Sequence, residues 1–235
     1  VGDQEGDGKE HIAEGLFHAK GVDEDYGKSA HRMTPVDTAP FYGIRTCAWH
    51  LTTLDGCRIN TDMQVIRALA KRHHFTFAKG LGQNFLIDPE VCPAIAEYGI
   101  PSRECGVLEI GTGIGTLTKE LAKRADKVAA VELDTRLFPI LDETLADFDN
   151  VHIVHGDAMK YDLRALIAEE FAGLRVAVCA NLPYYITSPL IMRLLEERLP
   201  IETVTVMVQK EAAQRLCAPV GTRESGAVTV AVNFY

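Results

Sequence analysis

Residues 181–185 read Asn-Leu-Pro-Tyr-Tyr, directly after the apolar run RVAVCA at 175–180. The Asn181 side-chain oxygen, with a backbone carbonyl at Leu182 or Pro183, offers two acceptors to the two hydrogens of an NH₂ group. An exocyclic amine on a purine is a weak nucleophile because its lone pair is delocalised into the ring. Two acceptors favour a pyramidal nitrogen and leave the lone pair free for an electrophilic carbon. Pro183 fixes the loop backbone, and Tyr184 offers a face on which a base can stack, worth roughly 1–3 kcal/mol. Tyr185 is read as inward packing. For these residues alone, a proline turn with aromatic core residues is the plain alternative.

A second stretch, GTGIG at 111–115, follows the apolar run GVLEI and opens a helical pattern. Gly111, Gly113 and Gly115 allow a sharp turn and close approach of backbone to a ligand. The spacing is GxGxG, which departs from the GxGxxG of most dinucleotide sites, and alone it is weak evidence. Glu132 ends the next apolar run, 21 residues after Gly111, where an acid can hold the two hydroxyls of a ribose. Asp157 closes VHIVHGD at 151–157 and can accept from the exocyclic amine of an adenine; alone it would as readily be a turn or helix-capping residue. In open α/β sheets ligands sit outside the carboxyl ends of the strands. Gly111, Glu132, Asp157 and Asn181 all fall at such ends, on four successive runs.

The elements that must position these groups alternate from about residue 65 onward. The runs GVLEI, KVAAVEL, VHIVHGD, RVAVCAN and TVTVMVQ are separated by helical patterns at 116–125, 134–147, 162–172 and 187–197. Near-continuous apolar strands between helices predict a parallel sheet covered on both faces. Ile66, Leu69, Ala70 and His73 have the spacing of one helix face. Asp88-Pro89 reads as an N-cap followed by proline at the first helical position. Residues 1–64 are rich in Gly, Asp and His, with weak periodicity.

Hydrophobic residues make up 47% of the 235, enough for a substantial core, and the net charge is −9. That balance argues mildly against a nucleic-acid partner. Its distribution matters more: between Asp62 and Asp88 no acid occurs, while Arg67, Lys71, Arg72 and Lys79 do. This basic stretch can meet phosphates, or be a solvated helix face. The six cysteines contain no CxxC pair and fit no zinc spacing, which reads as a reducing compartment; Cys179 is read as a core filler. No apolar run is long enough to span a membrane, and the polar N-terminus VGDQEGDGKE is no signal peptide. Absence of Met at position 1 suggests a fragment.

With these residues in place, the stretch from about 65 to 235 resembles the ribosomal RNA adenine N6,N6-dimethyltransferases. The resemblance rests on KGLGQNFLIDPEV, VLEIGTGIGTLT, VELD, GDAM, NLPYYITSPL, VMVQKEAAQRL and SGAVTVAVNFY, in that order. It implies a Rossmann-like α/β fold and S-adenosylmethionine as methyl donor. It also implies a donor site drawn from Asn84, Leu86, Gly111, Gly113, Glu132, Asp157 and Asn181, and a target adenine held by Asn181, Leu182, Pro183 and Tyr184. Asn-Pro-Pro-Tyr corners occur in other adenine and glutamine methyltransferases; Leu182 at the first Pro favours the ribosomal RNA family. The expected partner is small-subunit ribosomal RNA or a ribosome precursor, met by a cytoplasmic monomer, with Arg67, Lys71, Arg72 and Lys79 as candidate RNA contacts. Thr112 stands where proline is commoner in the family, a departure expected to matter little.

Two larger departures shape the expectation. The family continues past the equivalent of Tyr235 with an antiparallel strand, which normally lies between strands represented here by 203–209 and 226–235, and then with a small helical RNA-binding domain. Without them the sheet is expected to be incomplete, with two unpaired edges, and the chain to bind donor without efficient transfer. Residues about 21–66 resemble instead the late part of fumarate reductase-type flavoproteins, with no flavin-binding Gly motif. Together these describe a composite: a flavoprotein remnant at 1–64, not an independent domain, joined to a truncated methyltransferase domain at 65–235. A non-catalytic RNA-binding or ribosome-assembly module, and a flavin oxidoreductase fragment, are the competing readings. Donor binding separates the first competitor, and yellow colour the second.

Overall fold

The structure, a computed structural model, describes residues 14–20, 63–76, 88–100, 102 and 104–235. The strands are β1 (Glu14–Lys20), β2 (Cys105–Ile110), β3 (Lys127–Glu132), β4 (Val151–His155), β5 (Arg175–Asn181) and β6 (Thr203–Gln209). The helices are α1 (Met63–Arg72), α2 (Val91–Gly99), α3 (Thr116–Ala122), α4 (Phe138–Thr144), α5 (Leu163–Glu170), α6 (Thr187–Glu196), α7 (Lys210–Cys217) and α8 (Ala227–Phe234). One sheet runs β1-β6-β5-β2-β3-β4, with β2 to β6 parallel. The chain moves outward from β2 through β3 to β4, then returns to lay β5 on the other side of β2. The β2/β5 seam is therefore the topological switch point, where the loops leaving adjacent strands diverge and open a crevice.

Side-chain alternation explains why these apolar runs become central strands. Leu108 and Ile110 of β2 pack with Leu166, Leu190 and Ile191 on the α5/α6 side. Val107 packs with Val91, Ile95 and Leu121 on the α2/α3 side. Cys179 is fully buried in this second layer, as its place in an apolar run predicted. A third cluster docks Ile66 of α1 and Phe75 against Ile114, Leu137 and Ile140, so the helix face read at Ile66 and Leu69 is an interior face.

Asp88 does not cap a helix beginning at Pro89. Its carboxylate accepts from Glu90 N (2.9 Å), a local turn, and α2 starts at Val91 with Pro93 in its first turn, where the missing N–H costs nothing.

The stretch 226–235, expected as a strand, is helical over Ala227–Phe234. Alternating Val and Ala suggest a β run, but burial decides against it: Val228, Ala231 and Val232 are buried while Val230 and Phe234 are exposed, a helical period. Gly226 N donates to the Thr229 hydroxyl (2.9 Å), which donates on to Arg215 O (2.6 Å) and ties α8 to α7. Tertiary packing overrides β propensity here. The β6 edge expected to be open is paired: β1 runs antiparallel along it from Glu14↔Gln209 to Lys20↔Thr203. Most of the flavoprotein-like stretch, 21–62, lies outside the described residues.

Gly106 illustrates how tightly the layers are set. A Cβ there would stand 2.3 Å from Phe171 Cδ1. Gly106→Ala is expected to lower the unfolding free energy by about 1–3 kcal/mol through overpacking, and Phe171→Leu should recover part of it. Urea unfolding of the three variants tests this; an unchanged midpoint for Gly106→Ala would show that the layer yields.

Candidate active site

The loop leaving β2 turns through three left-handed glycines, Gly111 (φ 78°), Gly113 (φ 56°) and Gly115 (φ 83°). At Gly115 a side chain is doubly barred, by φ and by Thr144 Oγ1 at 3.0 Å from an added Cβ. At Gly111 a Cβ would meet nothing within 4 Å, so there the backbone itself borders open space.

Glu132 closes β3 and is 6% exposed. Its Oε2 accepts from Thr112 N (2.9 Å), Thr112 Oγ1 (3.0 Å) and Gly113 N (3.2 Å), and its Oε1 from Asp134 N (2.8 Å). The carboxylate thus braces the glycine turn across the sheet top. Thr112, whose departure from proline was expected to matter little, supplies two of those four donors. A hydroxyl residue inside the glycine turn, facing an acid on the next strand, was the signal available for it. Just beyond, Asp134 accepts from Arg136 Nε (2.8 Å) and Nη2 (2.6 Å), and the Arg136 guanidinium lies 5.3 Å from the centre of the Phe75 ring.

Asp157 stands two residues past β4. Its Oδ1 accepts from Met159 N (2.9 Å), and its carbonyl accepts from Lys160 N and Tyr161 N (2.8 Å each). The turn role considered for Asp157 and its position at the crevice therefore coexist. Asn181 ends β5, half-buried. Leu182 is 2% exposed and belongs to the core. Pro183 O accepts from Ile186 N (3.1 Å) and from the Thr187 hydroxyl (3.2 Å). Tyr184 is 37% exposed and Tyr185 57%. The inward role expected of Tyr185 falls to Leu182, because the turn at 183–185 carries both tyrosines to the rim.

These strand ends converge. One cleft of about 360 Å³ is bordered by Gly111, Thr112 and Gly113, by Glu132 and Leu133, by Asp157 to Met159, and by Asn181 to Ile186. Polar groups stand at four of its corners and apolar side chains between them, the composition of a nucleoside-sized site. Beneath it lies Glu109 of β2, fully buried. Burial, with Glu132 nearby, pushes its carboxyl up to about 8, and the Thr118 hydroxyl faces it. The side-chain oxygens of Glu109 and Thr118 make no hydrogen bond of normal geometry, and burial outweighs the hydroxyl's opposing pull.

Asn84, Leu86 and Lys79 lie outside the described residues. Arg67, Lys71 and Arg72 are exposed on α1 and do not border the cleft. Arg72 pairs with Glu143 of α4, and His73 Nε2 lies 2.6 Å from the same carboxylate. Among the described residues no cluster of His, Cys, Asp and Glu could hold a metal, and no helix is long and apolar enough to cross a membrane.

Residues 74–235 match the profile of the family described as ribosomal RNA adenine dimethylase. The protein named ribosomal RNA small subunit methyltransferase A of Geobacillus thermodenitrificans is 52% identical over 170 residues, 72% of this chain and 58% of that protein. Its namesake in Shouchella clausii is 48% identical over 169 residues, 72% of this chain and 57% of that protein. The chain thus spans less than two thirds of the length of these curated relatives. A dimethyladenosine transferase from Plasmodium falciparum, a solved structure, superposes with a TM-score of 0.52 at 31% identity, covering 61% of this chain and 50% of the other. The flavoprotein resemblance of residues 21–66 gains no support from these matches.

Proposed function

The chain belongs to the ribosomal RNA adenine dimethylase family, and from that premise we propose that its cleft binds S-adenosylmethionine and methylates N6 of adenosine, twice, in small-subunit ribosomal RNA. The observation that carries this reading is the convergence of Gly111, Glu132, Asp157 and Asn181 on one cleft at the switch point of the sheet. S-adenosylmethionine supplies a methyl on a sulfonium, an electrophilic carbon. The chain's residues fit such a donor. Glu132 is a buried carboxylate at the place where ribose hydroxyls can replace the Thr112 hydroxyl as its partner. The Asp157 carboxylate suits an adenine amine, with Leu133, Ala158 and Met159 as apolar neighbours for the ring. The backbone beside Gly111 has open space before it.

For the acceptor, Asn181 Oδ1 and one backbone carbonyl hold the two hydrogens of the target amine. Pro183 O already accepts two hydrogen bonds, which assigns that role to the Leu182 carbonyl. Bound there, the donor would supply its methyl to the amine lone pair thus aimed, its S–C bond pair staying on sulfur as a neutral thioether, and the amine would give up one proton to water. Tyr184 stacks the base that has left its helix. Arg67 and Lys71, exposed on α1 away from the cleft lining, supply phosphate contacts, with Arg72 shared with Glu143, and the partner is a cytoplasmic ribosome precursor met by a monomer.

Calorimetric titration with S-adenosylmethionine tests the reading. The parent chain is expected to bind, and Glu132→Gln to bind about 1–3 kcal/mol more weakly, the cost of stranding buried polar partners. A parent chain that takes up no donor overturns the function. A Glu132→Gln variant with parental affinity overturns only the ribose assignment.

A further inference from the structure

Both loops that shape the far side of the cleft hang on α6. At its first residue the Thr187 hydroxyl holds Pro183 O. Six residues on, about 9 Å along the axis, Arg193 reaches the loop that carries Asp157. Its side chain is 15% exposed. Its guanidinium donates to Ala158 O, to Tyr161 O (2.7 Å) and to Glu197 Oε1 (2.5 Å). The loop's hydrogen bonding divides cleanly between its two sides. Met159, Lys160 and Tyr161 turn their N–H groups inward onto Asp157, while the carbonyls of Ala158 and Tyr161 face outward and take the guanidinium, Tyr161 O accepting from Leu163 N (2.9 Å) as well. Residues 156–161 form no regular element; apolar packing of Ala158, Met159 and Tyr161 seats them on the core that includes α6, and this planar fork, pre-organised to bridge several acceptors, adds the directional tie to the helix.

We propose that Arg193 is a positioning residue for the methyl-transfer reaction. It locks the Asp157 loop to the same helix that holds the Asn181–Tyr184 loop, and so sets the spacing between the donor's base and the acceptor's base. The proposal rests on the donor-site reading above, and its test separates the two.

Arg193→Met keeps the apolar stem and removes the fork. Two measurements on the whole chain read the consequence. Amide hydrogen exchange at Met159, Lys160 and Tyr161, without any ligand, is expected to quicken at least tenfold, with the amides of β2 and β5 unchanged. Donor affinity is expected to fall about tenfold, but less than twofold when Arg193→Met is placed on Asp157→Ala, since the fork acts through that carboxylate. Arg193→Lys, with one point donor, should fall between parent and Met, and it serves if the Met variant does not fold. Unchanged loop exchange overturns the proposal even if the parent binds no donor. An equal loss of affinity in both backgrounds overturns it too, because a general loss of stability would act without Asp157.

Discussion

Alanine at Asn181 is expected to lower methyl transfer by about a hundredfold or more, the usual cost of removing one pre-organised hydrogen-bonding group at a reacting centre. The side chain stands at the end of β5, half-buried at the cleft's edge, and its backbone is set in register with Met207 of β6. Little can relax to replace its oxygen. Leu182, next in line, is committed to the core, and Pro183 O is already saturated. Tyr184→Ala should behave differently. It removes a stacking face worth roughly 1–3 kcal/mol and should appear in the RNA concentration needed for half-maximal rate, with donor affinity untouched. Single-turnover methylation of small-subunit RNA precursor, with a relative's C-terminal segment joined after Tyr235, measures the first. Donor titration measures the second. Transfer by Asn181→Ala within threefold of the parent would remove Asn181 from the chemistry. Equal loss of donor and RNA binding in Tyr184→Ala would end the division of labour between the two sides of the cleft.

The parallel sheet was legible because each central strand is buried on both faces and so reads as an unbroken apolar run; RVAVCAN and TVTVMVQ coincide with β5 and β6 to the residue. The site corners were legible for a related reason. In such a sheet a polar residue ending an apolar run has one place to be, the carboxyl edge, and the switch point gathers those edges. What escaped was whatever depends on pairing across the molecule. A stretch such as AVTVAVNF carries β propensity, and only its packing on α6 and α7 makes it α8. The partner of the β6 edge came from residues 14–20, far away in the chain, with no periodicity to announce it. Tyr184 and Tyr185 are chemically alike, and the sequence offered no means to tell which of them faces inward; neither does, since Leu182 fills that place. Arg193 sits in an ordinary amphipathic helix, and nothing in its neighbours marks it as the donor for carbonyls 32 and 35 positions away.

Glu109→Gln is expected to stabilise the protein, and increasingly so as pH rises from about 5 toward 8. The parent carboxyl is fully buried, without a hydrogen bond of normal geometry, and is pushed up to about 8 from an ordinary 4.5. Between those two values the folded chain holds a proton that the unfolded chain releases, so the unfolding free energy falls as pH rises through the window and levels off above it. At about 1.4 kcal/mol for each unit of separation, the ionised residue costs the fold on the order of 2–5 kcal/mol at pH 8.5. Glutamine fills nearly the same volume and has no charge to bury. The two proteins should therefore match at pH 5 and diverge steadily toward pH 8.5, with glutamine the more stable. Urea unfolding at half-unit steps follows the difference directly, and groups that titrate alike in both chains cancel from it. Parallel curves across that range would mean that Glu109 finds a cationic or hydrogen-bonding partner in solution. Because Glu132 lies close enough to raise the Glu109 carboxyl further, a second measurement follows. Glu132→Gln should draw the parent's falling limb toward lower pH, as one of the charges that keep Glu109 protonated is gone.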